Sequence, residues 1–329
     1  MTTPYVGNEG NVLGTFPEQT PCLEHQNSVF IEQGVECQTC HMPEASTPVI
    51  ISTLPRNLQA REPFVQHYFV GGNKIILDIL NENSEELGVT ASDAHFQETI
   101  TNLLDLLQNE TAQISIQEAE ASGDQITVKV NVNQIVGHKF PTGFPSRRAW
   151  IHLTVADKNG GVIFESGNHD NEGRIIGCDA DYDAAAYESH YDIISHDDQV
   201  QIYESVMQDF EGNVTYTLLK GAAYAKDNRL LPPGFDIENA VANIAVHGKA
   251  ANDSNFMAGS DRVEYRIDTG GKSGPYTVEV ELLYQTISYR FVQDLLIDDD
   301  KELVDTFGSL YDKADKSPIL ISSATQTIQ

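Results

Sequence analysis

A chain of 329 residues with 49 Asp and Glu against 20 Lys and Arg carries a formal net charge of -29. That balance repels nucleic acid and anionic membrane surfaces, and it suits either a basic partner or a salty medium. Hydrophobic residues make up 40% of the chain but never run for the ~20 positions of a membrane-spanning helix, so no membrane insertion is expected, and the length suffices for a sizeable core.

In chain order, the first 60 or so residues are rich in turn formers. Gly7, Gly10, Gly14, Pro17 and Pro21 precede, and Pro43, Pro48 and Pro55 follow, the run Cys37-Gln38-Thr39-Cys40-His41. Without periodicity such a segment needs something other than a core of its own to order it. After the Gly71-Gly72 break, Ile75, Ile76, Ile79 and Leu80 predict a helix. A second helix is expected behind a cap at Ser92 and Asp93, with Phe96, Ile100, Leu103, Leu104 and Leu107 at helical spacing. Past Glu110 the period becomes two, and short strands are predicted around 114–116, 126–132, 150–155, 162–164, 200–206, 214–219, 262–267 and 276–284. Lys158-Asn159-Gly160-Gly161 is a hairpin signal. From Asp298-Asp299-Asp300 onward one short helical pattern and a polar tail remain. The expected class is α+β, mainly β: an irregular segment with short helices over 1–110, an antiparallel β-sandwich over 111–290, and a helix and tail over 291–329.

Chemistry concentrates in the cysteine run. Two cysteines separated by two residues can each add through sulfur to a vinyl group of haem, and a histidine directly after the second then lies beneath the iron. Cys37, Cys40 and His41 meet that requirement, which predicts haem c with His41 as the proximal ligand. Two other readings stay open on the residues alone. Cys22-Leu23-Glu24-His25 with Cys37 and Cys40 could close a tetrahedral zinc site in a structural β-sandwich module, and Cys37 with Cys40 could form a redox disulfide. Asp179, Asp181 and Asp183 alternate as in a calcium loop but lack the glycine and closing glutamate of an EF-hand, which favours a solvated acidic turn over bound calcium. No nucleophile elbow, Walker or dinucleotide motif stands in a supporting context. Covalent haem attachment takes place outside the cytoplasm in bacteria and archaea. The expected location is therefore periplasmic or extracellular, although Met1-Thr2-Thr3-Pro4-Tyr5 has neither the positive nor the apolar region of an export signal.

The wider text resembles the C-terminal part of a family of multihaem cytochromes c. The resemblance is carried by Thr15-Phe16-Pro17-Glu18-Gln19-Thr20, by the run from Cys37 to Pro43, by His67-Tyr68-Phe69-Val70-Gly71-Gly72-Asn73, by the stretch from Gly137 to Arg148, and by Lys226-Asp227-Asn228-Arg229-Leu230-Leu231-Pro232. It implies that His67 and His138 act as distal haem ligands, and His190 falls in a further stretch of the same kind. A histidine beside the attachment site cannot cross the macrocycle, so the second axial ligand must come from a separate segment. His67 is preferred for its shorter loop closure, which leaves His138 for a haem supplied by missing sequence or a neighbouring subunit. Arg147 and Arg148 follow the His138 turn and are candidates to pair with haem propionates. The implied function is passage of single electrons to redox partner proteins, which include further haem-bearing subunits. An open axial site would instead suit an enzyme acting on a small nitrogen or sulfur oxide.

Overall fold

The alternating apolar residues of the central chain build two stacked sheets. In the structure, a computed structural model that describes residues 1–298 and 301–329, the chain opens with a hairpin of β1 (Thr3–Val6) and β2 (Val12–Phe16) and three short helices, α1 (Pro21–Gln26), α2 (Val29–Glu32) and α3 (Cys37–His41). Two longer helices follow, α4 (Lys74–Glu82) and α5 (Asp93–Asn109). Ser92 caps α5 as expected, its hydroxyl accepting from the His95 amide, and the buried stripe of Phe96, Ile100, Leu103 and Leu107 faces inward.

The sandwich comprises β3 (Ala112–Ser122), β4 (Gln125–Gln134), β5 (Arg148–Ala156), β6 (Val162–Ser166), the short helix α6 (Asp179–Tyr182), β7 (Ile193–Ile194), β8 (Ile202–Gln208), β9 (Val214–Thr215), β10 (Ala223–Asp227), β11 (Ser260–Asp268) and β12 (Tyr276–Gln285). Helices α7 (Tyr289–Leu295) and α8 (Glu302–Lys313) then lead to β13 (Ile319–Ile328). One sheet runs β3-β4-β11-β7, and the other β10-β8-β5-β12-β13, with β6 on β5 and β9 on β8. Ile126, Val128, Val130 and Val132 of β4 share one core with Ala149, Ile151, Leu153 and Val155 of β5 and with Val278, Val280 and Leu282 of β12. Leu103 and Leu107 of α5 join it, so the second helix is built onto the sandwich. The hairpin at Lys158-Asn159-Gly160-Gly161 joins β5 to β6, with Gly160 at φ 80° and the Asp157 carboxylate accepting from the Asn159 and Gly161 amides.

The mainly β class with an antiparallel sandwich is thus observed, with local corrections beyond the β1–β2 hairpin in the segment expected to be irregular. The expected polar tail is β13, paired antiparallel with β12 from Tyr276↔Ile328 to Tyr284↔Ile319. Its inward residues are few, Ile321 and Ile328 among Ser, Thr and Gln, so the period-two signal is diluted. Residues after 290 therefore return to the sheet, while Asp299 and Asp300 lie outside the described residues. The strand expected over 214–219 stops at Thr215 and turns into a short 3-10 helix. Strand β10 was not predicted at all, because the positions it buries include Lys226 and Asp227.

Candidate cofactor pocket

Where α1, α3, the end of α5, the 137–142 loop and β12 meet, they enclose a cavity of about 530 Å³. That is within the ~300–1,000 Å³ of sites that enclose cofactor-sized ligands. Its walls are largely apolar, with Phe30, Leu106, Leu107, Val136, Phe140 and Tyr284 among them, and Cys37, Cys40, His41 and His138 also line it. Phe140 and Tyr284 lie one on the other at 5.7 Å as a flat aromatic floor.

One wall is a single helical turn. Glu36 caps α3 and Thr39 closes the capping box, which orders the turn that carries both cysteines and ends at His41. Nδ1 of His41 lies 2.6 Å from the Val70 carbonyl. A carbonyl only accepts, so Nδ1 carries a proton, and of the two neutral tautomers the contact selects the one whose lone pair is on Nε2. Val70 is held in turn by the double glycine after it. The Tyr284 hydroxyl donates to the Gly72 carbonyl at 3.0 Å and Thr286 does so at 2.7 Å, while a Cβ on Gly72 would lie 2.7 Å from the Tyr284 hydroxyl.

The opposite wall carries His138. Its Nδ1 lies 2.9 Å from the Lys139 carbonyl, which again leaves Nε2 free, and burial pushes its pKa down, so the ring is neutral. The two imidazoles are nearly parallel, 12° apart, with ring centres 6.2 Å from one another. Two rings binding one iron from opposite faces would have centres ~6 Å apart, from ~2 Å for each metal–nitrogen bond and ~1 Å from nitrogen to ring centre. The residues present therefore fit a haem, with the cysteines on the same turn as one of the two rings. Desolvation on its cavity side, reinforced by Glu110 and Cys37, pushes up the thiol of Cys40, a residue otherwise exposed.

The preference for His67 over His138 does not match this geometry. His67 is exposed beside Phe69, outside the cavity, and its segment serves the pocket through the Val70 carbonyl instead. Phe69 takes a φ of 48°, a conformation that L side chains seldom adopt. Arg148 cannot reach a propionate. It is buried in a two-pronged pair with Asp181, at 2.9 and 2.8 Å, and its Nε donates to Gln285 at 2.8 Å. In the structure Asp181 serves Arg148 and the Ile175 amide and does not gather its carboxylate with those of Asp179 and Asp183. Arg147 donates to the Thr142 carbonyl at 3.3 Å, and Thr142 lines the cavity.

His190 is elsewhere, buried against Phe256. With Asp253 and Asp261 it forms the one group of three ligand atoms within 4.8 Å of one another among the described residues. Its hydrogen bonds oppose a metal there. Nδ1 receives the amides of Gln201 at 2.8 Å and Asn228 at 3.0 Å. Gln201 is oriented by the Tyr191 amide and Asn228 by the Glu204 amide, so Nδ1 accepts and Nε2 holds the proton, directed at Asp253. The four candidate zinc donors Cys22, His25, Cys37 and Cys40 line the cavity without converging in this way.

Sequence reasoning missed the supports. His25, a candidate zinc donor in the sequence, donates from Nε2 to the Val35 carbonyl at 2.9 Å and steadies the loop before α3. Gly137 must lack a side chain, since a Cβ there would lie 2.8 Å from His25 Cδ2. A glycine beside a candidate ligand was the available signal. Among the described residues no helix is long and apolar enough to cross a membrane. No protein-family model matches the chain, and no curated protein does. Among solved structures it is similar to a penta-heme cytochrome c552 from Thermochromatium tepidum, at 17% identity over 99% of this chain and 53% of that one, with a TM-score of 0.48. The chain spans about half the length of that protein.

Proposed function

We propose that this chain is a c-type cytochrome that passes single electrons through one haem attached at Cys37 and Cys40, with His41 and His138 as its axial ligands. The observation that carries the reading is the pair of parallel imidazoles 6.2 Å apart, each with Nδ1 held by a carbonyl, across an apolar cavity that also contains both cysteines. The haem supplies an iron that takes up and releases one electron. The chain would hold it with two imidazoles in fixed orientation, His41 and His138, and an apolar wall, and ligation by both would disfavour substrate chemistry at the metal. The half-exposed Arg147 is the candidate partner of a propionate at the Thr142 side. His67 is exposed beside an aromatic residue, which supports its ligating a haem carried by a partner chain. In this reading the working protein is periplasmic or extracellular, where thioether bonds are made.

The test is holoprotein matured in a haem-competent host. The haem should resist acid-acetone extraction, and electron paramagnetic resonance of the ferric protein should show a low-spin bis-histidine signal. His138→Ala should convert it to high spin, whereas His67→Ala should leave it low-spin. Isolation with zinc and no haem, or a high-spin iron in the unmodified protein, would sink the reading.

A further inference from the structure

Beneath the His138 loop lies a buried group of four charged side chains that the electron-transfer reading does not use. Lys139, the residue after His138, sends its ammonium to Asp227 at 2.8 Å and to the Ala245 carbonyl at 3.2 Å. Arg229 clasps the same Asp227, with Nε at 2.9 Å and Nη2 at 2.8 Å, and reaches Glu24 at 3.0 Å. Glu24 closes the circuit, its other oxygen accepting the Lys139 backbone amide at 3.0 Å. All four residues are at most 2% exposed. Two cations against two anions leave no net charge. Burial alone would push the Asp227 carboxyl up, but Arg229 and Lys139 hold it well below the usual carboxylate range.

The arrangement joins three parts of the chain. Glu24 lies on α1 between Cys22 and His25, Lys139 on the ligand loop, and Asp227 at the end of β10. The peptide group that links His138 to Lys139 is tied at both its polar atoms. Gln134 donates its side-chain amide to the His138 carbonyl, and the Lys139 amide that follows is the one Glu24 accepts. Next in the chain, Phe140 exchanges two backbone bonds with Leu230 at 3.0 and 2.8 Å. The Lys139 carbonyl, which orients the His138 ring, belongs to the residue gripped at both its amide and its ammonium.

We infer that Glu24, Lys139, Asp227 and Arg229 act as positioning residues for the distal ligand, fixing the His138 ring toward the cofactor through the Lys139 main chain. The inference rests on His138 as the distal ligand. Outer partners of a metal-bound histidine set its orientation and basicity, and losing them typically weakens the metal bond ~10–100-fold. Removing one member of the quartet should therefore let the iron open while the thioethers keep the haem attached.

The test compares holoproteins for carbon monoxide binding in the ferrous state and for spin state in the ferric state. Glu24→Gln and Lys139→Met should each bind carbon monoxide at least ~10-fold faster than the unmodified protein and gain a high-spin fraction, with haem content unchanged. Asp181→Asn breaks a buried pair away from the ligand loop, and it should lower thermal stability without altering either readout. Thr20→Val removes only the hydroxyl 3.2 Å from Glu24 and should shift both readouts the same way by less. If the two ionic variants fail to mature, Thr20→Val decides. Unchanged carbon monoxide binding and spin state in the variants that mature would overturn the inference, as would equal changes in Asp181→Asn. The His138→Ala outcome keeps the two claims apart: if that variant stays low-spin, the ligand assignment fails, and if it opens the iron while the quartet variants do not, only the inference fails.

Discussion

A carbonyl 2.6 Å from His41 Nδ1 and another 2.9 Å from His138 Nδ1 do for both rings what a protonation constant alone could not. They choose the tautomer and aim the free nitrogen. His190 shows the opposite setting, with Nδ1 saturated by two amide donors and Nε2 committed to Asp253. That network holds a second titratable feature. Burial pushes the Asp261 carboxyl from 3.8 up to about 6, while it accepts the Tyr203 hydroxyl at 2.8 Å. A group whose folded pKa lies above its unfolded value adds stability that is fully present below the unfolded pKa and lost as pH rises through the folded one. The contribution of Asp261 should accordingly fade between about pH 4 and pH 6, by up to ~3 kcal/mol. Denaturant titrations across that range should show a flatter pH profile in Asp261→Asn than in the unmodified protein, and identical profiles would contradict the assignment.

Among the elements, α3 is only five residues long and could not persist alone. Its capping box, the His25 contact to the preceding loop and the Val70 carbonyl at its end hold it against the sandwich. The segment from His67 to Gly72 is the less obvious partner. Its glycine approaches β12 so closely that Tyr284, buried in the cavity floor, fills the place of a side chain. Gly72→Ala should displace Gly72 or Tyr284 and with them the Val70 carbonyl. The expected cost is ~1–3 kcal/mol of stability, the usual penalty of overpacking a tight site. Thermal melts of the holoprotein would measure it, and a melting temperature equal to that of the unmodified protein would show that the contact is slack.

For the whole molecule, the sandwich core is apolar, and the junction between the sandwich and the N-terminal segment combines an apolar cluster of Phe16, Met207 and Tyr224 with the ionic group of Glu24, Lys139, Asp227 and Arg229. Breaking a buried pair by removing one partner costs ~3–5 kcal/mol, because a charge is left without compensation. Such a junction gives one docking position rather than many. The surface, in contrast, bears most of the net charge of -29, and its self-repulsion works against the compact state. Raising NaCl from ~0.05 M to ~1 M shortens the screening length from over ~10 Å to ~3 Å and should raise the melting temperature by several degrees. An unchanged or falling melting temperature would mean that the acids are already neutralised locally.

The Cys37-Gln38-Thr39-Cys40-His41 run, the caps of α5, the hairpin glycines and the period-two strands were legible in the sequence, because each is a local rule satisfied within a few residues. Strands β10 and β13 were not, since their partners are distant and their burial is shared with polar residues. Loop-closure entropy pointed to His67 as the second histidine, because sequence distance was the only separation available. The folded chain instead lays His138 opposite His41 and turns His67 outward. Arg148 and His190 likewise looked like site residues until the fold supplied Asp181 to one and two amide donors to the other. The sequence by itself determined where the chemistry-bearing residues gather, since the Cys37-Gln38-Thr39-Cys40-His41 spacing is a relation between neighbours along the chain. Only the tertiary structure decided which side chains share the pocket, because that depends on packing between segments about 100 residues apart, which a local pattern does not encode.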